Sequence, residues 1–137
     1  MKYLLDTNIC IYIINNKHDY LIDQIESMGI ENTAISTITI AELEFGIAKS
    51  KSKYKEANRL ALLEFLLPFK FISFEQNDAY EYGYIRNDLQ LKGQIIGNMD
   101  MLIAAQAINN GLILVTNNTK EFQRVENLQL ENWVKKS

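Results

Sequence analysis

Short apolar runs, each separated from the next by a stretch of helical periodicity, constrain this chain more than any other feature. Residues 2–5, Thr33 to Ser36, Phe69 to Phe74 and Leu112 to Val115 read as strands, with Leu128 to Leu130 as a fifth, edge strand. Between them lie helix patterns. One starts at Thr7 or Asn8, either of which can cap it, and ends near Asn15–Asn16; a second covers 19–28, with Leu21, Ile22, Ile25 and Met28 on one face. Ser36 or Thr37 caps a third through Ile38, Ala41, Phe45 and Ala48, and Pro68 closes a fourth over 53–67. A long helix runs from Gln76 to Leu91, and Asn98 caps an Ala-rich helix that Gly111 stops after Asn109–Asn110. Thr116 to Glu121 is a turn leading into a short helix. Strands that alternate with helices require a parallel sheet covered on both faces. The expected fold is α/β and three-layered, with a central parallel sheet of four to five strands flanked by helices. A chain of 137 residues holds one domain with a proper core, spanning 1–137, and is too short for two.

In such sheets the ligand crevice lies beyond the carboxyl ends of the strands. Acidic residues collect at that edge. Asp6 ends the first strand, Glu42 lies in the helix after the second, and Glu121 follows the fourth. Asp100 sits in the first turn of a helix, where free N–H groups and the helix dipole favour a carboxylate. Gathered carboxylates cannot all remain ionised without a cation. Hard oxygen donors select Mg²⁺ or Mn²⁺ over zinc, and a metal held this way points to phosphate chemistry. Asp6 and Asp100 are the candidate direct or water-bridged ligands. Glu42 either binds a second metal or orients the attacking water. Thr7, Asn8, Thr116 and Asn117 stand close enough in sequence to hold water, carboxylate or phosphate. The bland readings are helix capping for Asp6 and Asp100 and solvated surface for Glu42 and Glu121. Glu44 competes with Glu42, but two residues apart they face nearly opposite sides of a helix, and periodicity does not choose between them.

A net charge of −3 argues at first against a nucleic-acid partner. Setting aside Asp6, Glu42, Asp100 and Glu121 turns it into +1, so the remaining surface does not repel phosphate. Lys49, Lys51, Lys53 and Lys55 cluster as either a solvated helix–helix connection or part of a phosphate-contacting rim. The single cysteine, Cys10, has no partner and reads as a buried thiol; His18 reads as surface, Tyr80, Tyr82 and Tyr84 as packing or interface residues, and Trp133 as packing the C-terminus. No apolar stretch reaches the roughly 18 residues of a membrane span, and the N-terminus has no signal-peptide layout. These features lead us to expect a cytoplasmic protein without membrane contact.

Four segments carry a resemblance: Leu4-Leu5-Asp6-Thr7-Asn8; Ile40-Ala41-Glu42-Leu43 with Gly46; Gly93 through Ile96-Gly97-Asn98-Met99-Asp100 with Ile103-Ala104-Ala105; and Leu114-Val115-Thr116-Asn117-Asn118 followed by Glu121-Phe122. Together, in order and at compatible spacing from about Lys2 to Trp133, they resemble the PIN-domain nucleases, and among these the VapC ribonuclease toxins of type II toxin–antitoxin systems. The resemblance implies an acidic pocket holding Mg²⁺ or Mn²⁺ and hydrolysis of RNA. The RNA is expected to be tRNA, with the anticodon stem-loop of initiator tRNA as the first candidate. It also implies a VapB-like antitoxin, contact with DNA only through that antitoxin, and a homodimer. Asp6, Glu42 and Asp100 match the acidic core, and the Ala41-Glu42-Leu43 match selects Glu42 over Glu44. Many family members carry an Asp where this chain has Asn118, which brings oxygen without charge; Glu121 is then the candidate fourth carboxylate.

Two other classes compete. A haloacid-dehalogenase-like phosphotransferase wants a second Asp two residues after Asp6, where Asn8 stands; a receiver domain wants an acidic pair and a lysine after a later strand, where Thr116-Asn117 stands. A PIN-like binding module, pairing with an antitoxin in DNA-bound autoregulation, would have no need of the carboxylates.

Overall fold

The computed structural model describes residues 1–135. Five parallel strands form one sheet: β1 (Tyr3–Leu5), β2 (Thr33–Ser36), β3 (Lys70–Ile72), β4 (Ile113–Val115) and β5 (Leu130–Glu131), in the spatial order β3-β2-β1-β4-β5. Helices connect them: α1 (Thr7–Ile14), α2 (Tyr20–Met28), α3 (Thr37–Ala48), α4 (Ser52–Leu66), α5 (Gln76–Leu91), α6 (Asn98–Asn109) and α7 (Thr119–Phe122). From β1 the chain builds outward to β2 and β3, then crosses back to place β4 on the other side of β1. The order therefore reverses between β1 and β4, where a ligand crevice belongs.

The two sheet faces bury different cores because successive side chains point to opposite sides. Leu4, Ala34 and Leu114 pack on α5, α6 and α7 through Ile85, Leu89, Met101, Ala104 and Phe122. Tyr3, Leu5, Ile35 and Val115 pack on the other four helices through Ile9, Leu21, Ile25, Leu43, Ile47 and Leu62. Burial on both faces explains why β1 reads as an uninterrupted apolar run. Trp133 is buried edge-on against Tyr3, ring centroids 5.0 Å apart, and Cys10 is fully buried, both as the sequence suggests. No helix among the described residues is long and apolar enough to cross a membrane.

Several boundaries move from their sequence-based positions. β3 (Lys70–Ile72) is shorter at both ends than Phe69–Phe74; at its start the Phe69 N–H still closes the end of α4 on the Leu66 carbonyl at 3.1 Å. β5 starts at Leu130, after Asn127 turns the chain at φ +67°. The α1 cap is Asp6, whose Oδ1 accepts the Thr7 N–H at 2.6 Å, in place of Thr7 or Asn8. Gly97, not Asn98, is the N-cap of α6. Two helix boundaries, Gln76 and Leu91 of α5, lie where the sequence puts them.

Candidate active site

Asp6 follows β1 directly, at the point where the strand order reverses. Its backbone N–H continues the sheet by donating to the Val115 carbonyl at 2.9 Å. Its side chain is 2 % exposed and both oxygens are held: Oδ1 by the Thr7 N–H at 2.6 Å, Oδ2 by the Thr116 hydroxyl at 2.7 Å. Thr116 in turn accepts the Asn118 N–H at 2.9 Å, which fixes its hydroxyl proton on Asp6. The adjoining Thr7 hydroxyl donates to Glu42 Oε1 at 2.6 Å. With that proton committed, the 3.1 Å contact between the Thr7 and Thr39 hydroxyls has Thr39 as donor. A chain of hydrogen bonds thus links β4, β1, α1 and α3 through two carboxylates.

Asp100 reaches the same place from α6. It occupies the third position of the helix, and a Cβ on Gly97 would lie 3.3 Å from its Oδ2, so the glycine leaves room for the carboxylate to fold back over the helix start. Asp6, Glu42 and Asp100 line one cavity of about 710 Å³ with Thr7, Asn8 and Lys49. The electrostatics record their proximity. Burial, followed by the charges of Asp6, Glu42 and Glu121, pushes the Asp100 carboxyl up to about 7. The helix dipole pulls the other way, and here burial and repulsion win. Burial also raises Asp6, against the lowering effect of its bonds from Thr116 and Thr7, and Glu42 adds to the rise.

The other sequence candidates separate. Glu44 leaves the cavity and pairs with Arg59 at 2.9 Å. Glu121 does not line the cavity; it accepts from the Asn118 amide at 3.2 Å and acts on Asp100 through its charge. Asn118 is the cap residue of α7. Asn117 faces away, bonded to Tyr12 at 3.3 Å and Asn132 at 3.2 Å. Of the four lysines only Lys49, at the end of α3, lines the cavity; Lys51, Lys53 and Lys55 are exposed around the start of α4. Thr39 and Phe45 were not singled out by sequence: the first completes the hydroxyl chain, the second lies exposed on the cavity wall.

The donor set is all hard oxygen, which suits Mg²⁺ or Mn²⁺. Among the described residues no three His, Cys, Asp or Glu side chains form a group that could hold a metal ion. Mg²⁺ is ordinarily held by one or two carboxylates, with water and substrate phosphate completing its shell, so the open arrangement fits that ion better than a closed protein cage.

Comparison with known proteins agrees with this architecture. The PIN domain family matches residues 3–128. Ribonuclease VapC2 of Rickettsia felis is 49% identical over 136 residues, covering 98% of this chain and 100% of that one. The tRNA(fMet)-specific endonuclease VapC of Salmonella typhimurium is 34% identical, covering 97% and 98%. The crystal structure of VapBC2 from Rickettsia felis bound to a DNA fragment from their promoter contains a chain that superposes with a TM-score of 0.91 at 47% identity, covering 98% of this chain and 100% of that one.

Proposed function

This chain belongs to the PIN-domain family, and from that premise we propose that it is a metal-dependent endoribonuclease, the toxin of a VapBC-type toxin–antitoxin pair. The observation that carries the reading is the convergence of Asp6, Glu42 and Asp100 on one cavity at the point where the strand order reverses. Asp6 and Asp100 would hold Mg²⁺ or Mn²⁺. When bound, such a cation offsets the charge of a phosphodiester and supplies Lewis acidity. The protein's own part is positional. Thr116 and Thr7 fix the direction of the Asp6 carboxylate, and Thr7 fixes Glu42 by one oxygen, leaving the other to accept a proton from the attacking water. Water adds to phosphorus, the P–O bond to the leaving ribose oxygen breaks, and the leaving oxygen takes a proton from solvent.

The names of the Rickettsia felis and Salmonella typhimurium relatives support RNA as substrate, and the latter supports initiator tRNA; a cut in the anticodon loop is part of our proposal and rests on the family resemblance alone. Such a substrate implies a cytoplasmic site of action. Lys49, Lys51, Lys53 and Lys55 then contribute phosphate contacts rather than chemistry. The VapBC2–DNA structure supports a VapB-like antitoxin partner and DNA contact by the complex; that DNA is reached only through the antitoxin is part of our proposal. The exposed Tyr80, Tyr84 and Leu91 along α5 support a homodimer.

The decisive experiment is cleavage of tRNA by the purified chain with and without Mg²⁺, followed by sequencing of the new ends. Asp6→Asn and Asp100→Asn should each slow cleavage on the order of 10²-fold or more. Undiminished cleavage by either folded variant would overturn the reading.

A further inference from the structure

Resting on the ribonuclease reading, we infer that Phe45 is a stacking platform for an unpaired base of the substrate, so that the site selects single-stranded RNA next to the bond it cuts. Ala41, Glu42, Phe45, Gly46 and Lys49 lie along one stripe of α3 and form one wall of the cavity. The opposite stripe of the helix, Thr39, Leu43 and Ile47, is buried. Phe45 is therefore not a core residue that spilled outward. It is 66 % exposed on the side that faces the carboxylates, one turn beyond Glu42. The Lys49 ammonium lies 5.1 Å from its ring centroid, a cation–π contact that orients the ring and sets a positive charge beside it. Gly46 presents no side chain next to the ring, and a Cβ there would meet nothing within 4 Å, so the wall stays open. Met99, 45 % exposed, supplies a second apolar side chain to the same cavity. A carboxylate, an exposed ring and a cation in sequence along one wall match a nucleotide: reacting phosphate at the first, base on the second, neighbouring phosphate at the third. Paired bases cannot reach such a platform without unstacking, whereas every unpaired base has a face to offer.

The test uses the full chain with Asp6→Asn to hold the RNA uncut, and short single-stranded oligoribonucleotides carrying 2-aminopurine at successive positions. One position should lose fluorescence on binding. Adding Phe45→Ala should abolish that loss, weaken binding about tenfold or more, and remove the preference over a duplex of the same sequence; Phe45→Trp should retain all three, and Phe45→Leu should not. Phe45 is exposed, so these variants should fold, and a thermal melt checks it. Cleavage by the chain with Asp6 intact is measured alongside. Failure to cut any RNA sinks the ribonuclease reading. Cleavage with no position quenched, or with affinity and quenching indifferent to Phe45→Ala, overturns this inference alone and leaves the Phe45 face to a protein partner.

Discussion

The Thr116 hydroxyl, 110 residues along the chain, is a side-chain donor to Asp6 and fixes its carboxylate together with the Thr7 backbone N–H. Thr116→Val keeps the shape and deletes the donor, leaving a buried carboxylate oxygen unpaired. Cleavage should fall by about one to two orders of magnitude and stability by about 1–3 kcal/mol, measured by kinetics and urea unfolding. Asp100 gives a pH signature. Its carboxyl titrates near 7 in the folded chain against 3.8 ordinarily, so between those values the folded state holds more protons than the unfolded one. In metal-free buffer, stability should therefore fall as the pH rises from about 4 to about 7. Solvent at this half-open site limits the change to a few °C in Tm. Glu121→Gln removes one of the repelling charges and should move the fall to lower pH. A thermal pH profile that Glu121→Gln leaves unmoved makes Glu121 a surface acid. Asp6 and Asp100 stood out in sequence because one follows a strand and the other lies in the first turn of a helix; Glu42 sits in the middle of α3, and only the family resemblance separated it from Glu44. Thr39 was not: in Thr37-Ile38-Thr39-Ile40 it reads as one more β-branched residue, and its use arises only when α1 brings Thr7 opposite it.

At the scale of elements, the helices were read more accurately than the strands. Apolar periodicity over a dozen residues marks a helix interior, whereas a strand of two or three residues owes its limits to its neighbours. β5 was expected at Leu128–Leu130, but its limits fall where the Glu131 carbonyl meets the N–H of Thr116 and the Gln129 carbonyl that of Leu114, which no local pattern announces. The pairing of α5 with α6 was equally hidden. Asp78, 1 % exposed, accepts the Glu75 N–H at 2.8 Å on one oxygen and the Asn109 amide at 2.7 Å on the other, pinning the start of α5 to the end of α6. Asp78→Ala should cost about 2–3 kcal/mol in chemical denaturation, more than an exposed helix cap alone. Gly83 stands mid-helix in α5 with open space where a Cβ would go. Gly83→Ala should raise stability by about 0.5–1 kcal/mol without changing cleavage. A lower Tm would show that something on the surface of α5 needs the gap.

Across the whole molecule, the fold gathers acids that the sequence scatters, and acids outnumber cations there: Lys49 is the one basic side chain lining the cavity among the described residues. Divalent metal should therefore act as a stabilising ligand. At Mg²⁺ or Mn²⁺ concentrations about 100-fold above Kd, the gain should approach 2.7 kcal/mol, readable as a rise in Tm that Asp6→Asn abolishes. Equal rises in both proteins would place the metal elsewhere. The central position of β1 has a further consequence in time. The ribosome makes Asp6 almost at once, but the strand that pairs with its N–H and the hydroxyl that clamps its carboxylate come more than a hundred residues later. A stalled or prematurely ended product carries Asp6, Glu42 and even Asp100 with no β4 to assemble them. A chain that stops before β4 therefore lacks both the strand partner of the Asp6 backbone and the hydroxyl that orients its carboxylate.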